Sequence, residues 1–125
     1  VFNHRWHLFF SAWLEALLGL GQYAQILKMA VTHQLRERDE SYRKSPNYNP
    51  SVPWLLALAM YKSGKITFRQ ISDQFHVDLD LIVLHNGPTF PASLNMLLAL
   101  IDANAPDVLN EVKGMMQKKG IIIRF

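Results

Sequence analysis

The chain has no cysteine among its 125 residues. Disulfide bonds, thiolate nucleophiles and cysteine-ligated zinc sites are therefore excluded. The lack of cysteine fits any compartment but favours a reducing one, so we expect a protein of the cytoplasm or nucleus. Long apolar runs are also missing, because the longest, Val52 to Tyr61, is interrupted by Pro53. A membrane-spanning helix needs roughly 20 apolar residues, so we expect no membrane partner.

Catalytic motifs are absent as well. The six glycines are scattered, so there is no phosphate-binding loop, and no serine lies in a nucleophile motif. The densest grouping of potential metal ligands is His76, Asp78, Asp80 and His85, in which Asp78 is better explained as a helix cap. We therefore predict that the chain has no catalytic residue, no cofactor and no metal site.

Half of the residues are hydrophobic, which is typical of a folded domain rather than a disordered chain. The length corresponds to one domain, so we expect residues 1–125 to form a single unit. The chain begins with Val1 instead of methionine, and we expect it to be a domain excised from a longer protein.

Apolar residues recur at helical spacing along most of the chain. The first such face comprises Trp6, Phe9, Phe10, Trp13, Leu14, Leu17 and Leu18. A second helix is predicted from about Gln22 to Glu37, and the short glycine-containing link between the two favours a helical hairpin. Residues 38–50 are polar, contain two prolines and show no periodicity, which predicts a mobile loop.

The second half of the chain is predicted to be a helical group. The stretch from Trp54 to Lys62 is apolar nearly all round, which indicates a central, buried helix. Further helices are expected near 94–101 and 104–119, and the apolar tail 121–125 is expected to pack on them. The sequence therefore predicts an all-α fold of about six to seven helices.

Residues 66–86 have the outline of a helix-turn-helix. Thr67 and Gln70 have the spacing of a capping box, which predicts a helix over 67–75. Asp78 is expected to cap a second helix that ends near His85. A DNA-reading helix needs cations for the phosphates, and this second helix has Asp78 and Asp80 but no Lys or Arg.

Positive charge is missing from a much longer stretch, because residues 70–112 contain six acidic residues and no Lys or Arg. An acidic surface can orient a basic partner. Large apolar side chains are concentrated near the N-terminus, and aromatic residues often anchor interfaces. We therefore predict a non-catalytic protein-interaction or scaffold domain with Trp6, Phe9, Asp78 and Asp80 as candidate contacts. The partner is expected to be another protein or another part of the parent chain, and homo-oligomerisation remains open.

Nucleic-acid binding is the alternative. Basic residues interleaved with tyrosines suit a single strand, whose phosphates meet cations while its bases stack on rings. The candidate residues in and beside the loop are Arg36, Arg38, Tyr42, Arg43, Lys44 and Tyr48. Acidic residues at positions 37, 39 and 40 weaken the positive field there.

Overall fold

The computed structural model describes residues 5–46, 48–87 and 95–121. Within these ranges the chain is helical and has no strand. The seven helices are α1 (Trp6–Gly19), α2 (Tyr23–Thr32), α3 (Leu35–Tyr42), α4 (Ser51–Lys62), α5 (Phe68–Asn86), α6 (Asn95–Asn104) and α7 (Pro106–Lys118). The prediction of an all-α fold of six to seven helices is confirmed.

Helix α4 forms the centre of the fold. Every residue from Ser51 to Ala59 is buried, as the nearly continuous apolar sequence predicts. The helix packs against α1, α2, α3, α5 and α6, while α7 covers α5 and α6. The core is therefore one continuous cluster, and α4 connects its N-terminal and C-terminal halves.

The N-terminal helices differ from the prediction in two ways. Helix α2 ends at Thr32 instead of Glu37, and Gln34 takes a left-handed conformation with a φ of 52° before α3 begins at Leu35. The predicted loop at 38–50 thus includes most of α3. The loop prediction is wrong for residues 38–42. It rested on their polar residue types, but the side chains of Asp39 and Tyr42 are buried.

Helix α5 replaces the predicted helix-turn-helix. Its start is as predicted, because Gln70 N donates to Thr67 Oγ1 at 3.2 Å and Thr67 N donates to Gln70 Oε1 at 2.8 Å. The helix then continues without a turn to Asn86, so the helix-turn-helix and the Asp78 cap are wrong. The physical reason is that the buried face runs on through Ile71, Phe75, Leu79 and Ile82 at spacings of four and three.

The predicted packing of the tail 121–125 can be followed only at Ile121, which is buried. The remaining tail residues, 122–125, lie outside the described residues.

Candidate functional site

A cleft of about 520 Å³ lies between α3 and α5 on the surface of α4. Helix α4 contributes an apolar floor of five residues on one side of the helix: Val52, Pro53, Leu56, Ala57 and Met60. Helix α3 contributes Arg36 and Glu40 to one wall, and α5 contributes Gln70 and Gln74 to the other. The cleft therefore combines an apolar surface with a few polar and charged groups.

Asp39, Arg43 and Asp78, which line this cleft, belong to a polar network that we call the Asp39–Asp78 network. It consists of Asp39, Arg43, Tyr48, Trp54 and Asp78. The Nη1 atom of Arg43 lies 2.9 Å from Asp78 Oδ1 and 3.4 Å from Asp39 Oδ2. Tyr48 Oη donates to Asp39 Oδ1 at 2.8 Å, and Trp54 Nε1 donates to Asp78 Oδ2 at 2.8 Å. The network thus ties the α3 region, α4 and α5 together.

The network carries more negative than positive charge, since two carboxylates share one guanidinium. Burial raises the pKa of the Asp78 carboxyl to about 6, although Arg43 and the Trp54 indole both favour the ionised form. Burial also raises the pKa of Asp39, against the opposing effects of Tyr48 and Arg43. The pKa of Tyr48 is raised by burial and by both carboxylates, so its hydroxyl stays protonated and can donate. Arg43 therefore offsets the burial of the two carboxylates only in part.

The six candidate nucleic-acid residues do not form one surface. Tyr42 and Tyr48 are 3% and 1% exposed, so their rings are not available for base stacking. Tyr42 instead stacks on His7, with ring centroids 4.8 Å apart. Arg43 belongs to the Asp39–Asp78 network and lies over the Tyr48 ring. Tyr42 and Arg43 follow Asp39 by three and four residues, which indicates one helix face. The sequence-based prediction of a loop overlooked this spacing.

The other three candidates lie nearer to solvent. Lys44 is exposed, and Arg36 is exposed with its Nη2 atom 3.3 Å from the Met60 sulfur. Arg38 is half-buried and donates from Nε to the His33 carbonyl oxygen at 2.9 Å. These cations have no accessible tyrosine from the predicted set beside them.

The two acidic partner candidates lie on different faces of α5. Asp78 is fully buried in the network and cannot contact a partner directly. Asp80 is exposed and pairs with Lys119, which follows α7, while His76 Nε2 lies 3.5 Å from its carboxylate. The predicted acidic surface is therefore partly neutralised at Asp80 by a base from the C-terminal region.

The two aromatic partner candidates also separate. Trp6 is buried in the core, whereas Phe9 is 64% exposed. Leu8, Ala12, Trp13 and Ala16 are also exposed on this side of α1. Together with Phe9 they form what we call the α1 surface. None of them is charged. The single apolar face predicted for α1 is thus divided between the core and the solvent.

Neighbouring rings hold the aromatic side chains of the α1 surface in place. The ring centroids of Phe9 and Trp13 are 5.8 Å apart in an edge-to-face arrangement. Trp13 stacks on Phe10 at 6.3 Å, and the imidazole of His33 lies 6.0 Å from it. Aromatic side chains held by neighbouring rings have little rotamer freedom left to lose if the surface is covered.

Among residues 5–46, 48–87 and 95–121, no group of three or more His, Cys, Asp or Glu side chains could hold a metal ion. No helix of those ranges is both long enough and apolar enough to cross a membrane.

The chain matches no protein-family model, and comparison with curated proteins and with solved structures finds nothing significantly similar.

Proposed function

We propose that this chain is a non-catalytic docking domain that binds another polypeptide through the α1 surface. The observation that carries the proposal is the exposure of Leu8 and Phe9, 63% and 64%, on a helix face without charge. Exposed apolar residues scattered singly are ordinary, but a contiguous group on one helix is typical of an interaction surface.

The energetics favour a contact at this position. Burying a whole Phe side chain is worth about 1.5–3 kcal/mol, so covering the exposed part of Phe9 contributes about 1–2 kcal/mol. Trp13, 39% exposed, adds a second aromatic anchor of the kind that dominates interfaces. A partner with a complementary apolar surface, from another protein or from another part of the same polypeptide, fits these properties.

Site-specific photo-cross-linking tests the proposal. A benzophenone amino acid at position 9 should form a covalent adduct with one discrete polypeptide in cells of the source, identified by mass spectrometry. The control position is Asn110, which is exposed on α7, away from α1. It should give no such adduct.

A surface variant provides the second arm. Phe9→Ser should abolish the adduct formed from a benzophenone at position 13, while the midpoint of thermal unfolding of the free protein stays nearly unchanged. An adduct with nucleic acid instead of polypeptide, or equal adducts from positions 9 and 110, contradicts docking through the α1 surface. An adduct with a second copy of the chain would show that the α1 surface binds another copy in a homo-oligomer.

A further inference from the structure

We propose that the cleft between α3 and α5 is a binding site for a small primary amine with an apolar chain, bound as its ammonium ion. This site is separate from the α1 surface and does not depend on the docking proposal. Three features of the cleft determine this ligand class: its size, its apolar floor and its uncompensated negative charge.

The dimensions suit a small molecule. The volume of about 520 Å³ falls within the range of small-molecule sites. The lining residues of α3 and its C-terminal cap run from Leu35 to Arg43, a length of about 12 Å at the helical rise per residue. Arg43 and Asp78 form an ion pair of 2.9 Å within this lining. An extended n-hexylammonium ion measures about 8 Å from its nitrogen to its last carbon at ordinary single-bond lengths, so it fits within this length.

The apolar chain of the ligand would lie on α4. Leu56, Ala57 and Met60 form the floor, and Ile66 and Val77 add apolar groups on the α5 side. Covering such surface is favourable in proportion to the apolar area removed from water. The floor alone would accept any apolar chain, so the charged groups decide which head group is preferred.

The charges favour a cation. The cleft is lined by three carboxylates and two guanidinium groups, which leaves one negative charge: Asp39, Glu40 and Asp78 against Arg36 and Arg43. Glu40 is exposed at the mouth and makes no ion pair or hydrogen bond within the part of the chain described. Asp39 has 11% of its side chain exposed, and Asp78 acts from beneath it through the weakly screened interior. An ammonium ion near Asp39 and Glu40 supplies the missing charge.

Binding should depend on pH with a definite sign. A bound cation favours ionised carboxylates, so affinity should increase as pH rises through the pKa of about 6 of Asp78. The charged and titratable groups that face this carboxylate are Asp39, Arg43 and Tyr48 beside it, with Arg36 and Glu40 farther along α3. No histidine of the described residues lines the cleft, so none accounts for a midpoint in this range.

The experiment is an NMR titration of the full chain with n-hexylammonium, n-hexanol and n-hexanoate. The reporter is the indole N–H of Trp54, which donates to Asp78 Oδ2, and the indole of Trp13 on the α1 surface is the internal control. We expect a saturable shift of the Trp54 resonance with hexylammonium, binding of hexanol weaker by about tenfold, and none of hexanoate. Equal affinities for hexanol and hexylammonium, or no saturable shift at about 10 mM, would overturn the proposal.

A matched pair of variants locates the site. Glu40→Gln should weaken hexylammonium binding by about two- to fivefold, the range expected for one exposed charge pair. Glu37→Gln removes an exposed carboxylate of the same helix that does not line the cleft, and it should leave the affinity unchanged. Equal weakening by both variants would show general attraction by the surface charge and would refute the site.

Discussion

Single residues explain why the candidate sites in the structure differ from those predicted from the sequence. Asp78 has the residue type and position of a helix cap, yet it lies inside α5 and accepts from the Trp54 indole. Asp78 lies three residues after Phe75 and four before Ile82, which places it on the apolar face of the helix. This spacing was the signal in the sequence that Asp78 is buried inside a helix. A carboxylate there needs partners from other helices, and Arg43 and Trp54 supply them.

The Asp78 carboxyl makes stability depend on pH. Its pKa is about 6 when folded and near 3.8 when unfolded, so the folded state binds the proton more tightly. The contribution of the protonated Asp78 carboxyl to the free energy of unfolding is complete below pH 4 and is lost as pH rises through about 6. We expect the free energy of unfolding of the wild type, relative to Asp78→Asn, to fall by about 2–3 kcal/mol between pH 4 and pH 7.

Urea unfolding at a series of pH values measures this difference. Asp73→Asn, at an exposed position of α5, controls for the loss of one acidic residue from that helix. The Asp78 prediction is wrong if the difference between wild type and Asp78→Asn does not change with pH, or if it increases with pH.

At the level of elements, the most reliable local signal was the capping box that starts α5. The capping box at Thr67 formed as predicted because both of its hydrogen bonds are made within four residues. The end of α2 was missed because the chain turns at Gln34, which is not a glycine although its φ is positive. A left-handed glutamine is unfavourable locally, so tertiary contacts such as the burial of Leu35 and Tyr42 must stabilise this turn.

Removing the cap should weaken α5 measurably. Thr67→Ala loses the hydroxyl that accepts from Gln70 N, so we expect a loss of about 1 kcal/mol in the free energy of unfolding. Thr32→Ala is the matched control, because Thr32 is exposed at the end of α2 and has no capping role. Chemical denaturation followed by circular dichroism measures both. Equal effects of the two substitutions would show that the cap contributes nothing specific.

At the scale of the whole molecule, α4 joins the helices of the described ranges in one buried core. It packs against α1, α2, α3, α5 and α6, and its side chains belong to the same buried cluster as those of α1, α5 and α7. We therefore expect one cooperative unfolding transition, with coincident curves from tryptophan fluorescence and far-ultraviolet circular dichroism.

The substitution Leu58→Ala tests this cooperativity. Leu58 is fully buried in α4, so the cavity should cost about 2–5 kcal/mol. Both spectroscopic curves should shift together, with no plateau between the folded and unfolded baselines. Val31→Ala, at an 80% exposed position of α2, should shift neither by a comparable amount. Two separate transitions would contradict the single domain.

The sequence by itself determined the helical class, the buried central helix and the capped start of α5, because periodicity and caps depend on neighbours within a few residues. Only the tertiary structure decided which side of α1 is exposed and that Asp39, Arg43 and Asp78 meet in the lining of a cleft. Asp39 and Asp78 are 39 positions apart, and no local pattern records a contact between helices. The absence of cysteine excluded disulfide bonds and thiolate sites, while the arrangement of α1, α3, α4 and α5 produced the two surfaces proposed here for binding.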